Sequence, residues 1–207
     1  MSQLRSRGRR LFAPAFITGT SSEFMGRKPL PRVLRQRWIT FLLGPEGVGK
    51  STVARSLAVG SRIELDAKQF ETQVNARVRS GAWSQRILSA PDVVLDGPMW
   101  LSNVPGRKRF LVELVRHRAA SGRRTFVCQT KDDLSVANLL EEVEPGSAVT
   151  LGLRFPVGRR ARLRCARALC ETLGLPQDCA IGSEDLDPWR YDRVRAFLIE
   201  QAPWEQP

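Results

Sequence analysis

The sequence predicts an α/β fold with a parallel five-stranded sheet and a short helical segment at its C-terminal end. Apolar runs and amphipathic helical patterns alternate along the chain, which is typical of strands joined by crossover helices. A glycine-rich loop lies between the first apolar run and the helical pattern that follows it. Residues 156–207 carry helical patterns with no further strand-like run.

Five strands are predicted at 38–43, 62–65, 92–96, 124–129 and 148–151. Helices are predicted at 50–58, 67–79, 105–121, 133–142, 158–173 and 187–200. Within the second helix, Phe70, Val74 and Val78 recur at helical spacing and form one apolar stripe. We interpret such stripes as core faces of the domain.

The chain of 207 residues, 42% of them hydrophobic, is long enough to bury a core of its own. The Phe155-Pro156 step separates the last strand from a strongly basic helix. These features predict three parts, which are a basic N-terminal arm at 1–37, a nucleotide-binding core at 38–155 and a small helical lid at 156–207.

The net charge of +12 is unevenly distributed. Nine basic residues against Glu23 alone give residues 1–37 a charge of +8. Cationic surfaces attract polyanions, so nonspecific nucleic-acid binding through the arm and the basic helix 158–167 is expected, with a simple solvated arm as the alternative. Residues 1–22 also have the arginine-rich, acid-poor composition of an organellar transit peptide.

No apolar run approaches the length that a membrane-spanning helix requires. We therefore expect a soluble cytoplasmic protein with no membrane partner, or an organellar one if residues 1–22 are a transit peptide. The four cysteines lack the close spacing of a zinc site and are interpreted as buried, reduced thiols: Cys128, Cys165, Cys170 and Cys179.

The glycine-rich loop has the Walker A pattern of a P-loop NTPase, in which glycine is followed by four residues and then Gly-Lys-Ser. Its glycines allow backbone N–H groups to surround a phosphate, the lysine can reach the terminal phosphates and the serine can ligate Mg²⁺. A glycine-rich turn that binds nothing is the alternative. The candidate nucleotide-binding residues are Gly44, Pro45, Glu46, Gly47, Val48, Gly49, Lys50, Ser51 and Thr52.

Besides the loop, a P-loop NTPase needs a second strand that ends in an acidic residue, which orients the metal's water shell. The run Pro91-Asp-Val-Val-Leu-Asp96 provides this strand, and Asp96 is the candidate acid that would hold Mg²⁺ together with Ser51. An ordinary turn aspartate before Gly97-Pro98 is the alternative. No guanine-reading Asn-Lys-x-Asp segment occurs, which favours ATP over GTP as the cofactor.

The order of segments resembles the AAA+ ATPase core of the DnaA and helicase-loader group over roughly residues 38–175. The segments that carry the resemblance are Ile63–Phe70, Asn75–Gly81, Asp92–Leu101, Phe110–Arg116 and Ser121–Thr130. The resemblance implies ATP and Mg²⁺ as cofactors and catalytic roles for Lys50, Asp96 and Thr130, the last as a sensor of the γ-phosphate, with Gln129 as the neighbouring candidate. It also implies a nucleotide-sensing arginine on the lid helix, for which Arg193 is chosen over Arg190 and Arg195. The alternatives are an ordinary strand-end polar residue at Thr130 and a solvated charged face on the helix 187–200.

Two departures from the family pattern concern catalysis. The family has a second acid after the first, whereas this chain has Gly97, so its Walker B motif is degenerate. The stretch 140–148, where the family places its arginine finger, contains no arginine. Because positioning groups and fingers of this kind are worth factors of about 10² to 10³ or more in rate, weak or absent hydrolysis is expected.

The sequence thus predicts an ATP-binding, DnaA-like regulatory or assembly switch in DNA replication or another DNA transaction. Its expected partners are the nucleotide and a protein, such as another AAA+ protein or a replication factor. A small P-loop kinase acting on a nucleoside or metabolite is the alternative. That alternative would use Asp66, Asp96 and the arginines of 159–164 at an acceptor site.

Overall fold

The computed structural model describes residues 15–20, 23–24, 37–58, 60–97, 107–130, 148–187 and 189–203. The predicted helix 133–142, almost all of the stretch 140–148 and most of the N-terminal arm lie outside these residues. Predictions that fall on them therefore stay predictions.

The described strands form one parallel sheet of six strands. The strands are β1 (Ala15–Gly19), β2 (Ile39–Leu43), β3 (Arg62–Asp66), β4 (Asp92–Asp96), β5 (Arg124–Gln129) and β6 (Ala148–Leu153). They lie side by side in the order β1-β6-β2-β5-β4-β3. The predicted α/β class and parallel sheet are confirmed.

The strand count of five was wrong by one. β1 lies within the segment 1–37 that the sequence analysis assigned to a basic arm, and it pairs with β6 from Ala15–Val149 to Gly19–Leu153. The chain beyond it is also fixed, because the Thr20 N–H donates to the Glu23 carboxylate at 2.6 Å and Phe24 is buried in the core. Part of the predicted arm is therefore a sheet edge, while the three-part division of the chain stays a prediction.

The described helices follow the predicted order with small shifts at their ends. They are α1 (Lys50–Leu57), α2 (Ala67–Ser80), α3 (Gln85–Ser89), α4 (Arg107–Ala120), α5 (Arg159–Leu173) and α6 (Tyr191–Gln201). The last begins four residues later than predicted, and short 3-10 turns at Gln177–Ala180 and Ser183–Asp185 precede it. The short helix α3 was not predicted.

The sheet is covered on both faces, as alternation along each strand requires. On one face, side chains such as Phe41 and Leu95 pack with Phe70 and Val74 of α2 and with α3 and α4. On the other face, Leu42 and its neighbours pack against α1. This three-layer arrangement leaves the carboxyl ends of the strands free to form a site at one edge of the sheet.

A third apolar cluster is built from α5, α6 and the 3-10 turns between them. Trp189 anchors it, because its indole N–H donates to the Ser183 carbonyl at 2.9 Å and its ring packs edge-on against Tyr191. The helical segment expected at 156–207 therefore has a small core of its own. Cys165, Cys170 and Cys179 lie in this core and Cys128 lies in the sheet, all four buried and without disulfides.

Arg118 of α4 is fully buried and holds several elements together. Its guanidinium donates to the carbonyls of Ile87, Leu88, Ala90 and Arg124 and to the Thr125 hydroxyl. Burial lowers the pKa of Arg118 to about 10 despite the attraction of nearby Asp92. The side chain stays charged at neutral pH and ties the C-terminal end of α3 to the start of β5.

In the part of the chain that the structure describes, every helix is too short or too polar to cross a bilayer.

Candidate functional site

The loop between β2 and α1 curls back over the carboxyl edge of the sheet. Gly47 and Gly49 adopt φ values of 72° and 91°, which only glycine takes at little cost. Gly49 is the N-cap of α1 and no side chain caps that helix, so its first N–H groups face the loop. The backbone is therefore arranged as an anion-binding loop at a helix N-terminus.

Gly44 fixes the start of this loop against the sheet. Its N–H donates to the Gln129 carbonyl at 3.3 Å, and a Cβ at this position would lie 2.6 Å from the Leu153 carbonyl oxygen. Because backbone atoms cannot yield easily, no larger residue fits. The first glycine of the Walker A pattern is thus explained by close packing against β6.

Lys50 lies at the centre of the loop and is only 7% exposed. Its ammonium donates to the carbonyls of Gly44 at 3.0 Å and Pro45 at 2.8 Å. Burial lowers the pKa of Lys50, an effect that the nearby carboxylates of Asp96 and Glu46 partly offset. A phosphate entering the loop would be met by a cation that the protein has already desolvated.

Ser51 and Asp96 meet at the mouth of the loop, where the Ser51 hydroxyl donates to the Asp96 carboxylate. Both oxygens are partly buried, and oxygen donors of this kind are what Mg²⁺ prefers. The residues present therefore fit a magnesium ion that completes its shell with phosphate oxygens and water. The described residues contain no group of three or more His, Cys, Asp or Glu that could hold a metal without such help.

The strand order explains why these groups meet. β5 lies between β2, which leads into the loop, and β4, which ends at Asp96. Thr130 follows β5 directly and is half-buried between the two, while Gln129 is buried. The position suits the predicted γ-phosphate sensor, although that role stays a prediction.

A cavity of about 280 Å³ lies over the loop. Its lining combines the loop, the start of α1, the end of β4 and the first turn of α6: Glu46, Gly47, Gly49, Lys50, Ser51, Thr52, Arg55, Asp96, Tyr191, Asp192 and Arg195. Six of the nine predicted loop residues thus share this lining with Asp96, the acid predicted for the metal, whereas Gly44, Pro45, Val48 and Thr130 are not part of it.

The start of α6 touches the loop directly. The Tyr191 N–H donates to the Gly47 carbonyl at 2.6 Å, and the Arg190 guanidinium lies 3.5 Å from the Glu46 carboxylate. Arg190 also covers Gly47 so closely that a Cβ there would lie 2.6 Å from its Nε. The sequence analysis missed this contact, because nothing in a helical pattern indicates that its first residue hydrogen-bonds to a loop over 140 residues away.

Arg193, the predicted nucleotide-sensing residue, is exposed and does not line this cavity. Arg195, which the sequence analysis weighed and passed over, does line it. Residues two apart on an α-helix point to nearly opposite sides, so the two arginines cannot share a role. Asp192 and Arg195 share the face that meets the loop, and the sensing role of Arg193 stays a prediction.

Gly97, at the position of the family's second acid, has a φ of 64° and donates its N–H to the Cys128 carbonyl at 2.8 Å. Its backbone has already left the strand conformation. The structure therefore places no carboxylate directly after Asp96, and the backbone there is one that favours glycine.

No protein-family model matches the sequence, and no curated protein sequence matches it either. Among solved structures, the chain is similar to domain III of the replication initiation protein DnaA from Thermotoga maritima, with a TM-score of 0.56 and 15% identity over 81% of this chain and 78% of that one. It is also similar to the replication initiator DnaA bound to AMPPCP and single-stranded DNA, with a TM-score of 0.59 and 10% identity over 87% of this chain and 63% of that one.

AMPPCP-bound DnaA from Aquifex aeolicus gives a TM-score of 0.53 and 13% identity over 85% of this chain and 57% of that one. This chain therefore spans less than two thirds of the longer DnaA chains. At these identities the likeness shows the fold alone, and the fold is the DnaA-like one that the sequence resemblance implied.

Proposed function

We propose that this protein binds ATP with Mg²⁺ and acts as a nucleotide-dependent regulatory or assembly switch with weak or absent hydrolysis. The observation that carries the proposal is the pairing of a complete phosphate loop with a degenerate acidic strand end. Lys50 and the Ser51–Asp96 pair are in place, and glycine stands where a second acid would be.

Different groups of the site would bind the phosphates and the metal ion. The N–H groups of the loop and the ammonium of Lys50 would hold the phosphates, and the oxygens of Ser51 and Asp96 would hold Mg²⁺. The metal, when bound, neutralises phosphate charge and orients water. Arg195, on the face of α6 that lines the cavity, would supply a further positive charge above the loop.

Weak turnover follows from what the described site lacks. An attacking water needs a positioned base, and the backbone after Asp96 turns away at Gly97. Removing one group of this kind costs a factor of about 10² or more in rate. Such a protein would leave bound ATP unhydrolysed for long periods, which suits a switch better than a motor.

The comparisons support nucleotide binding more than they support a role in a particular process. Two of the structural neighbours are DnaA molecules with bound AMPPCP, and one of these also holds single-stranded DNA. We extend this to a role in DNA replication or another DNA transaction, with a protein partner such as an AAA+ protein or a replication factor. A cytoplasmic location is part of the same proposal.

The small-kinase alternative is not favoured. Asp66, one of its candidate acceptor residues, is the N-cap of α2 and forms a capping box with Gln69. Arg159 and Arg162 hold the turn at Glu184. These residues already have structural roles, and the structural neighbours are replication initiators.

Calorimetric titration with ATP, ADP and GTP in the presence of Mg²⁺ tests the proposal, followed by a turnover assay on the same sample. Lys50→Ala should abolish ATP binding, because the loop then loses its central cation. Lys68→Ala removes the same side chain from an exposed position and should leave affinity unchanged. If both variants bind ATP like the unmodified protein, the proposed site is incorrect.

A further inference from the structure

Helix α5 presents a row of exposed arginines. Arg160, Arg164 and Arg167 are exposed and recur at i, i+4 and i+7, which places them on one side of the helix. The opposite side is buried in the C-terminal cluster through residues such as Cys165 and Leu169. We call these three residues the α5 arginine row.

The other arginines of the helix have partners within the fold. Arg159 lies 3.2 Å from the Glu184 carboxylate and 3.6 Å from that of Asp185. Arg162 donates to the Glu184 carbonyl at 3.2 Å. The buried Glu184 therefore accounts for these two arginines, but not for the α5 arginine row.

The placement of Arg160 in the first turn of α5 is unfavourable for the isolated helix. The N-terminal end of a helix is its positive end, and cations there destabilise it by about 0.3–1 kcal/mol each. The first turn of α5 contains no acidic residue, and its N-cap Gly158 provides no side-chain cap. The acidic residue of α5, Glu171, lies in its last turn and not beside Arg160, so an external anion would relieve this repulsion.

We propose that the α5 arginine row binds the sugar-phosphate backbone of a nucleic acid without regard to sequence. From Arg160 to Arg167 the helix rises about 10.5 Å at 1.5 Å per residue. Three intervals between phosphates of one duplex strand span about 10 Å at 3.4 Å each, so the row is as long as a stretch of about four phosphates. The arginine fork suits phosphate oxygens in particular.

A membrane surface fits the row less well. Amphipathic membrane helices combine a basic face with an apolar one that enters the lipid, but the apolar face of α5 is occupied by the C-terminal core. Among the described residues next to the start of α5, Val157 is the large apolar side chain that is strongly exposed. The row therefore offers charge without a surface for insertion.

The proposal is independent of nucleotide binding at the phosphate loop, and it concerns a different surface from the N-terminal arm. The test uses the full chain and a fluorescently labelled oligothymidine strand, with anisotropy measured over a range of salt concentrations. The test variant combines Arg160→Gln, Arg164→Gln and Arg167→Gln. The control variant removes three exposed charges elsewhere: Arg79→Gln, Arg86→Gln and Arg109→Gln.

Each phosphate contact contributes about 0.7 to the slope of log affinity against log salt for a single strand. The test variant should therefore lose about 2 in slope and about a hundredfold in affinity at 0.1 M salt. The control should keep most of both. Single substitutions such as Arg164→Gln should each lower the slope by about 0.7, which keeps the test valid if the triple variant folds poorly.

Equal behaviour of the test and control variants would overturn the proposal. Binding to phosphatidylserine vesicles is measured in parallel. A loss on vesicles alone, with oligothymidine binding unchanged, would also overturn it and point to a membrane surface.

Discussion

Replacing Gly47 by alanine places a methyl group between the phosphate loop and the lid. Gly47 has a φ of 72°, and a Cβ on it would lie 2.6 Å from Nε, 3.2 Å from Cβ and 3.3 Å from Cζ of Arg190. Two costs follow. The left-handed backbone is strained for alanine, and the arginine has to leave its place over the loop.

The backbone term is about 1 kcal/mol for an L-residue in this conformation. Moving Arg190 gives up packing over the loop and its 3.5 Å contact with Glu46, which we put at about 1 kcal/mol more because the contact is partly exposed. The expected loss of unfolding free energy is therefore about 2 kcal/mol in total.

Gly81→Ala is the matched control. Gly81 has a φ of 76° and no atom within 4 Å of its would-be Cβ, so this variant pays the backbone cost alone. Urea unfolding curves of both variants should differ by about 1 kcal/mol. In an Arg190→Ala background most of that difference should vanish, because Nε and Cζ are gone and only the Cβ of residue 190, at 3.2 Å, stays close.

Equal losses for Gly47→Ala and Gly81→Ala in the unmodified background would refute the reasoning. They would mean that the lid does not rest on the loop in solution. A difference that persists without Arg190 would instead assign the extra cost to another neighbour of Gly47.

Three further predictions concern Arg118, Gly97 and Lys50. Arg118→Met leaves four carbonyls without this donor, that of Ile87 in a buried hydrogen bond and the other three in partly buried ones. The unfolding free energy should fall by about 3 kcal/mol or more, whereas exposed Arg109→Met on the same helix should stay within about 0.5 kcal/mol. Similar urea midpoints for the two variants would contradict this. Gly97→Asp should raise ATP turnover less than tenfold, because the new carboxylate would project from a left-handed backbone and not from a strand. A rise of about 10² would show that the missing acid alone limits hydrolysis. Affinity for a non-hydrolysable ATP analogue should fall as pH rises through the pKa of Lys50, because phosphate favours the charged ammonium. Since burial lowers that pKa, the fall should begin below the ordinary value of 10.5. An affinity that stays constant up to pH 10.5 would count against this prediction.

The sequence was sufficient for the parts of the site that depend on local pattern. The loop 44–51 has a fixed spacing of glycines and lysine, and Asp96 ends a short apolar run. Carboxyl ends of parallel strands meet at one edge, so the meeting of Ser51 and Asp96 follows from strand order alone.

The rest depends on contacts between distant parts of the chain. β1 is five residues long and pairs with a strand about 130 residues later. Its apolar run is a weak strand signal, and the arginines on both sides of the segment favoured a solvated arm instead. Arg118 sits in an amphipathic helix where arginine is usually exposed, and only the carbonyls of another element explain its burial. The choice between Arg193 and Arg195 depends on which face of α6 meets the loop, and packing decides that.

The place of β1 at the edge of the sheet determines how the chain can be shortened. A fragment that starts at residue 38, the predicted boundary, would leave β6 with an uncovered row of N–H and C=O groups and would remove Phe24 from the core. Exposed strand edges recruit other strands, so such a fragment should self-associate. To remove the basic residues at the N-terminus without causing self-association, the chain has to be cut before Ala15.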